Sequence, residues 1–409
     1  QTEPPARYSQ GKLIQEMERL GLGTKATRHA IIERLYTVKY VQNDPIEPSQ
    51  LGIAVCDALG QFAPQITSPD MTATLEEDMN QIAAGNKTQK DVVDLSRDIL
   101  NDVLNELLQR IKRPGHRHYD AYLVLDADNI LDPNFISEIE KVYSAGYEIV
   151  TCYRNSKNYG DNWISAGYAL WFLREAQYLN NARMRLGSSC AVSGTGFLFS
   201  DEVLREGGGW NFFLLTEDIE FTIDNVVRGH KVGYAAGAVL YDEQPTSFAQ
   251  SWRQRMRWSK GYLQVFRKYA FRLFSGIAHG SFSCYDMTMN IMPAAVLTGT
   301  SIVVNVGAAI ANATNGGSMA ALGLSVLQTV LSLYMTLFVL GVITTVTEWR
   351  SIRCTGGKKV LYAFTFPIFM LTYVPICIVS LFAKVEWKPI CHTRVMTLEQ
   401  IEGPGLRAS

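Results

Sequence analysis

Three long apolar runs in the C-terminal part of the chain restrict what it can fold into. They cover residues 287–311, 318–346 and 360–385, and each is long enough to span the roughly 30 Å hydrocarbon layer of a bilayer. Residues 1–265 have the mixed composition of ordinary soluble protein. The sequence therefore predicts a multi-pass protein of the cell membrane with a large domain outside the bilayer.

Basic residues between the second and third runs predict the orientation of the spans. The loop at residues 347–359 contains four of them, whereas the loop at residues 312–317 carries no charge. Because positive residues mark the cytoplasmic side, we expect the 347–359 loop and the domain before the first span to be cytoplasmic. The four basic residues are Arg350, Arg353, Lys358 and Lys359.

The third run leaves two topologies open. It contains Pro367 and Pro375, which kink helices, and basic residues lie at both of its ends. Either it crosses the membrane, or it enters at the prolines and returns.

Strand and helix signals alternate between residues 117 and 245. The segments AYLVLDAD, YEIVTCY and KVGYAAGAVLY resemble strands, and residues 133–145, 162–185 and 217–228 have helical patterns. This alternation predicts an α/β domain with a mostly parallel sheet.

The N-terminal 112 residues predict a mainly α domain that resembles a helix-turn-helix with a wing. In SQGKLIQEMERLGLG, Ser9 can cap a helix and Gly21 and Gly23 can end it. TKATRHAIIERLYTVKYV predicts a second helix and a short strand, and residues 71–111 are largely helical and charged. A small helical domain without chemistry is the alternative.

Charge and cysteine content exclude some classes of protein. The formal net charge is −1, from 38 basic and 39 acidic side chains, which argues against a general nucleic-acid binder. The seven cysteines form no CxxC pair, so neither a zinc site nor a disulfide framework is expected.

Asp126 and Asp128 directly follow the apolar run at residues 121–125. Paired carboxylates at the end of a strand suit Mg²⁺ or Mn²⁺, which prefers oxygen ligands and completes its shell with substrate phosphates. The alternative is that both aspartates simply form a turn.

A second acidic pair, Glu217 and Asp218, follows the apolar residues 212–215. Thr216 could cap a helix there, and two acids suit the first turn of a helix. The functional interpretation is that Asp218 is a general base supported by Glu217.

The segment QSWRQRMRWSKGYLQVFRK predicts a helix with one basic and one aromatic face. Such a helix before a membrane span often lies in the interface, but this explains less well why Gln254, Arg257 and Trp258 lie so close together. An arginine can neutralise a diphosphate, and an indole can stack on a sugar. The basic face holds Arg253, Arg257, Lys260, Gln264 and Arg267, and the aromatic face holds Trp258, Tyr262 and Phe266.

Four motifs together resemble the family 2 processive glycosyltransferases, such as cellulose, chitin and hyaluronan synthases. They are DAD at 126–128, SGTGF at 193–197, TED at 216–218 and QRMRW at 254–258. WKPICH at 387–392 is similar to a segment of bacterial members, and the resemblance covers about residues 117–402.

This resemblance implies an α/β nucleotide-sugar transferase domain followed by transmembrane helices. A UDP-sugar would donate its sugar, with inversion, to a growing β-linked polysaccharide. Asp128 would bind Mg²⁺ or Mn²⁺ and Asp126 the nucleotide sugar, while Asp218 would act as the base with Glu217. Substrate would contact Gln254, Arg257, Trp258, Thr216, Gly194, Thr195 and Gly196.

Residues 1–110 resemble a different family, the type IA DNA topoisomerases. The match runs through PPARYSQGKLIQEMERLGLGTKATR, EPSQLGIAVCDAL and TLEEDMNQIAAG, a region that contributes to DNA binding in that family. It implies that Lys25, Thr27 and Arg28 contact DNA phosphates. Tyr8 does not match the nucleophilic tyrosine, so no strand cleavage is expected.

We expect four segments: a topoisomerase-like fragment at 1–112, the α/β domain at 117–245, amphipathic interface helices at 246–286, and a membrane region at 287–409. The family's N-terminal βα units are not found before Asp126, so half of the nucleotide pocket is expected to be absent and turnover to be weak. The alternative is a chimeric product, in which a DNA-binding topoisomerase fragment joins a non-functional transferase remnant.

Overall fold

The computed structural model describes residues 7–62, 67–87, 105, 108, 119–292, 300, 304–314, 319–383, 385 and 398–402, with single gaps at 26, 85, 306, 309 and 313. These residues form two compact units. The first comprises residues 1–119 with 207–211, and the second comprises residues 120–206 with 212–409.

The first unit contains two helices, a small hairpin and two further helices. Helix α1 is capped as expected, because the Ser9 side chain accepts a hydrogen bond from the Lys12 amide at 3.3 Å. Gly21, at φ 69°, follows its end. The elements are α1 (Gln10–Arg19), α2 (Arg28–Thr37), β1 (Val41–Gln42), β2 (Glu47–Pro48), α3 (Gln50–Phe62) and α4 (Pro69–Ala83).

Assignment of this unit to the helix-turn-helix class stays a prediction. Met17 of α1 and Ile32 of α2 are buried, as expected for helices that pack through one apolar face. Helix α4 covers the start of the helical stretch predicted at 71–111. Most of the remainder of that stretch lies outside the described residues.

The second unit is built on a five-stranded sheet with the order β3-β6-β5-β7-β4. Its strands are β3 (Ala121–Val124), β4 (Ile130–Leu131), β5 (Ile149–Ser156), β6 (Phe197–Ser200) and β7 (Val232–Asp242). The expected α/β class is correct, but the expectation of a mostly parallel sheet is wrong. Among the described strands only β5 and β7 pair in parallel, because the antiparallel strand β6 lies between β3 and β5 and the antiparallel strand β4 flanks β7.

Helices cover this sheet through apolar faces. Phe135 and Ile139 of α5 pack on Val150, Ala238 and Leu240 of the sheet. The helices of this part are α5 (Phe135–Ser144), α6 (Trp163–Arg174), a π-helical turn (Glu175–Asn180), α7 (Asn181–Leu186), α8 (Asp201–Glu206) and α9 (Glu217–Arg228).

The C-terminal part is helical. Its elements are α10 (Phe248–Ala278), α11 (Phe282–Ile291), α12 (Met319–Thr347), α13 (Gly356–Leu371), α14 (Tyr373–Phe382) and α15 (Leu398–Glu402). Among the described residues, two helical segments are long and apolar enough to cross a membrane, Val326–Thr347 and Gly356–Phe382. The first of the three apolar runs begins in α11, whose Met287 and Ile291 are buried. Residues 293–299 and 301–303 of that run lie outside the described part.

One face of helix α10 is buried in the protein from Ser251 to Leu273. The expectation that this helix lies in the membrane interface therefore does not describe its whole length. Its fully buried Arg255 donates to the Phe369 carbonyl at 3.0 Å and to the Thr372 hydroxyl at 2.7 Å, at the break between α13 and α14. The buried stripe consists of Ser251, Arg255, Gly261, Val265, Tyr269 and Leu273.

The loop between the two apolar segments packs against the end of β5. Asn155 donates to the Ser351 carbonyl at 3.0 Å, and Lys358 donates to the Gly160 carbonyl at 2.6 Å. This loop and the α/β domain therefore lie at the same end of the two apolar segments.

Candidate active site

The two aspartates of DAD lie in the turn after β3. The Asp126 amide donates to the Thr195 hydroxyl at 2.9 Å and to the Asn129 side-chain oxygen at 3.0 Å. The Asp126 side chain is exposed and that of Asp128 is partly buried. The turn is therefore held through its backbone, and the Asp128 carboxylate also contacts the buried Lys157.

The SGTGF turn lies beside both acidic motifs. Gly194 and Gly196 have φ values of 75° and 69°, which favour glycine. A Cβ built on Gly194 would lie 3.8 Å from the Asp218 carboxylate. Thr195, only 1% exposed, holds Asp126 and donates to Asn129, so its hydroxyl positions the DAD turn.

Glu217 and Asp218 occupy the first turn of α9, as expected. Thr216 stands at the N-cap, but its side chain makes no capping hydrogen bond and is 3% exposed. The predicted capping hydrogen bond is therefore not formed, and the contact of Thr216 with substrate stays a prediction.

Burial within the protein, together with the neighbouring Asp218, raises the pKa of Glu217 to about 7. Glu217 nevertheless remains accessible to solvent. Burial also raises the pKa of Asp218, although its own helix amide, Arg257 and Arg154 oppose this effect. Two neighbouring carboxylates with raised pKa values are typical of acid–base sites.

The segment before Thr216 is held from both sides. Glu220, which is fully buried, accepts from the amides of Phe213 at 2.8 Å and Leu214 at 2.9 Å and pairs with Lys268 at 2.5 Å. Arg257 donates to the Leu215 carbonyl at 2.7 Å, and Gln264 accepts from the Leu215 amide at 3.3 Å. Arg257 therefore links the QRMRW helix directly to the second acidic motif.

The other two predicted residues of QRMRW are partly buried. Trp258 packs edge-on against Tyr168 and Phe172, at centroid distances of 5.7 and 6.2 Å. The side-chain oxygen of Gln254 is buried and, within the described part of the chain, has no hydrogen-bond partner. An unpaired buried acceptor beside a site is a position where a ligand donor would be favourable.

Sequence reasoning missed Arg154 and Lys157. Arg154 forms an ion pair with Asp242 and donates to the Ser193 carbonyl at 2.9 Å, so it holds the turn that contacts Asp218. Lys157 is buried and contacts Asp128. The sequence feature that could have indicated them is their position, since Arg154 lies within the strand IVTCYRNS and Lys157 directly follows it.

The acidic residues fit a hard divalent cation that is shared with a substrate. Asp126 and Asp128 supply carboxylate oxygens, the donors that Mg²⁺ and Mn²⁺ prefer. In the described residues no group of three or more His, Cys, Asp or Glu side chains is placed to hold a metal. Phosphate oxygens or water would therefore have to complete the shell.

In the first unit, the three predicted DNA contacts differ in their surroundings. Lys25 is exposed in the turn before α2. The Thr27 hydroxyl accepts from the Thr24 amide at 2.9 Å. The Arg28 side chain, 11% exposed, pairs with Glu18 at 3.1 Å and donates to the Leu22 carbonyl at 3.1 Å. Lys25 and Thr27 are therefore exposed, whereas Arg28 is held within the unit.

Comparison with known proteins finds two families along the chain. Residues 66–261 match the model "Glycosyltransferase like family 2", and residues 1–94 match the model "DNA topoisomerase". The chain therefore combines a segment like a family 2 glycosyltransferase with a segment like part of a type IA topoisomerase. The WKPICH segment at 387–392 lies outside the described residues.

The topoisomerase segment has clear curated relatives. It is 46% identical over 107 residues to DNA topoisomerase 1 of Archaeoglobus fulgidus, covering 26% of this chain and 16% of the relative. It is 41% identical over 110 residues to that of Thermoplasma acidophilum, covering 27% and 14%. The chain thus spans only about a sixth of the length of these relatives.

Two solved structures are also similar in part. A mannosyltransferase from Pyrobaculum calidifontis, solved with GDP-Man and Mn²⁺, is 13% identical with a TM-score of 0.39, covering 69% of this chain and 66% of its own. Full-length topoisomerase I from Thermotoga maritima is 28% identical with a TM-score of 0.24, covering 30% and 20%.

Proposed function

We propose that the second unit transfers a sugar, with inversion, from a UDP-sugar to the hydroxyl of a growing β-linked glycan. The observation that carries this proposal is the SGTGF turn, which touches both acidic motifs. Thr195 binds the backbone of Asp126, and Gly194 lies against Asp218. A donor held at the first motif would thus lie close to a base at the second.

In this proposal Asp218 accepts the proton of the acceptor hydroxyl as its oxygen attacks the anomeric carbon. The bond from that carbon to the diphosphate breaks, and the nucleoside diphosphate leaves. A carboxylate whose pKa is raised by burial is a stronger base near neutral pH. Glu217 supplies a second carboxylate that shares the proton.

Arg257 and Trp258 would serve the donor and acceptor ends, respectively. The Arg257 guanidinium, anchored on Leu215, lies where positive charge can neutralise the diphosphate. Asp126 and Asp128 would hold Mg²⁺ or Mn²⁺, which when bound stabilises the negative charge of the leaving group.

We further propose a membrane location with the α/β domain on the cytoplasmic side. Two apolar helical segments and the basic loop between them, packed on β5, support this orientation. The glycan would leave along the membrane helices.

Activity of the purified full-length chain in detergent tests the proposal. With Mn²⁺ and a panel of UDP-sugars, Asp218→Asn should lower kcat by about 10²–10⁴-fold and leave Mn²⁺–UDP binding intact. Asp128→Asn should weaken that binding, whereas the exposed Asp57→Asn in the first unit should change neither quantity. No UDP binding by wild-type protein, or equal binding by Asp128→Asn, would rule the proposal out.

DNA binding by the first unit is a second candidate function. It is supported by the similarity to topoisomerases and by the exposed Lys25 before α2. Fluorescence anisotropy with a short DNA duplex should show affinity that falls as salt rises. Lys25→Ala should weaken binding more than Lys12→Ala on α1, and salt-independent binding would contradict this function.

A further inference from the structure

Lys157 is a buried cation placed on the first acidic motif. Its side chain is 2% exposed, and it follows the last residue of β5. Its ammonium donates to the Asp128 carbonyl and lies 3.3 Å from a carboxylate oxygen of the same residue. One residue thus contacts both the backbone and the side chain of Asp128.

The topology explains why these residues meet. Strands β3 and β5 both run antiparallel to β6, so they point in the same direction and end at the same edge of the sheet. The Lys157 amide continues the pairing with β7 through the Asp242 carbonyl at 2.9 Å. The backbone of Lys157 is therefore fixed, and its side chain reaches the DAD turn.

A buried ammonium is costly unless it is paired, and Asp128 supplies the negative charge. The same carboxylate is the predicted ligand of the divalent cation. An ammonium and a metal ion at one carboxylate compete for its oxygens and repel each other. Anionic phosphates relieve this conflict, because they can bind both cations at once.

We propose that Lys157 is a positioning residue that makes metal binding at Asp128 depend on the donor diphosphate. The inference rests on the proposed function and deepens it, since it states how the binding of the metal depends on the binding of the donor. Metal alone binds weakly, and metal together with a nucleoside diphosphate binds tightly. The chain thereby holds the metal mainly when a donor is present.

Electron paramagnetic resonance of free Mn²⁺ measures this directly, without turnover. The full-length chain in detergent is mixed with Mn²⁺ alone, with Mn²⁺ and UDP, and, in a separate series, with Mn²⁺ and GDP. Wild-type protein should bind Mn²⁺ more tightly in the presence of whichever nucleotide, UDP or GDP, binds at the donor site. Lys157→Met should bind Mn²⁺ alone about tenfold more tightly, because a nearby positive charge is removed, and the effect of nucleotide should shrink.

Two further variants control the experiment. Lys157→Arg keeps the charge and should keep the coupling between metal and nucleotide, and Lys231→Met removes an exposed lysine and should behave as wild type. If Lys157→Met retains the coupling of the wild type, or weakens both affinities equally, the role of Lys157 is overturned while the donor site stands. If neither nucleotide changes Mn²⁺ binding by wild type, and Asp128→Asn has no effect, the donor site itself is overturned as well.

Discussion

The hydroxyl of Tyr153 donates a hydrogen bond to the Glu348 carboxylate at 2.5 Å, which joins the central strand β5 to the end of the apolar helix α12. Both residues are buried. The neighbouring Arg154 contacts Ser193 and Asp242 on the opposite face of the strand. The strand therefore connects the apolar helix α12 and the candidate active site.

Tyr153→Phe should lower the free energy of unfolding by about 1–3 kcal/mol, because a buried carboxylate loses its donor. Thermal unfolding of the chain in detergent measures this change, with the exposed Tyr285→Phe as the control. A double-mutant cycle with Glu348→Gln should give a clear coupling energy. Strictly additive effects would contradict a direct interaction.

The raised pKa of Glu217 predicts that stability falls as pH increases. Its pKa is about 7 in the folded chain, against 4.5 for an ordinary glutamate carboxyl group, so between these values the folded state binds more protons than the unfolded state. The contribution of this group is then complete below about pH 4.5 and is lost as the pH rises through about 7.

Glu217→Gln should therefore raise the unfolding midpoint at pH 8 more than at pH 4.5. Glu140→Gln, on the exposed surface of α5, controls for the loss of a surface charge. A Glu217→Gln variant that shifts the midpoint equally at both pH values would show that burial does not disfavour the ionised carboxylate.

Periodicity predicts most elements of the second unit but not their pairing. Helix α9 covers residues 217–228, as the sequence predicts, because Ile219, Ile223 and Val226 recur on one face. Strand β6 is only four residues long and directly follows the glycine motif. Such a short segment carries too little pattern to reveal that it enters the sheet between β3 and β5.

The motifs predict which acidic residues surround the site, but not how they are held. In the sequence, Glu220 is simply a further acidic residue in the first turn of a helix, and the helix dipole alone would explain its presence there. Its role depends on amides that approach only when the preceding loop folds back. Lys157 and Arg154 act through Asp128 and Ser193, which are remote in sequence, so local pattern cannot assign their roles.

Glu220 should be more important for stability than its partner Lys268. Glu220→Ala leaves the Phe213 and Leu214 amides without their acceptor and should cost about 2–3 kcal/mol of unfolding free energy. Lys268→Met leaves the buried Glu220 carboxylate with both amide donors but without its cation, so it should cost less, about 1–2 kcal/mol. Chemical denaturation of the two variants compares them, and equal losses would show that the ion pair outweighs the amide contacts.

Gly196 should tolerate a side chain far less well than Gly146, although both have positive φ values, 69° and 98°. A Cβ on Gly196 would collide with the Cys152 sulfur and approach Leu240 to 2.9 Å, whereas nothing lies within 4 Å of a Cβ on Gly146. Gly146→Ala should cost about 1–2 kcal/mol from backbone strain alone, and Gly196→Ala should cost clearly more. Adding Cys152→Ala should recover part of the loss at Gly196, because the sulfur is then removed. Thermal unfolding of the three variants measures these changes, and equal destabilisation by the two single glycine substitutions would contradict the packing of Gly196 against Cys152.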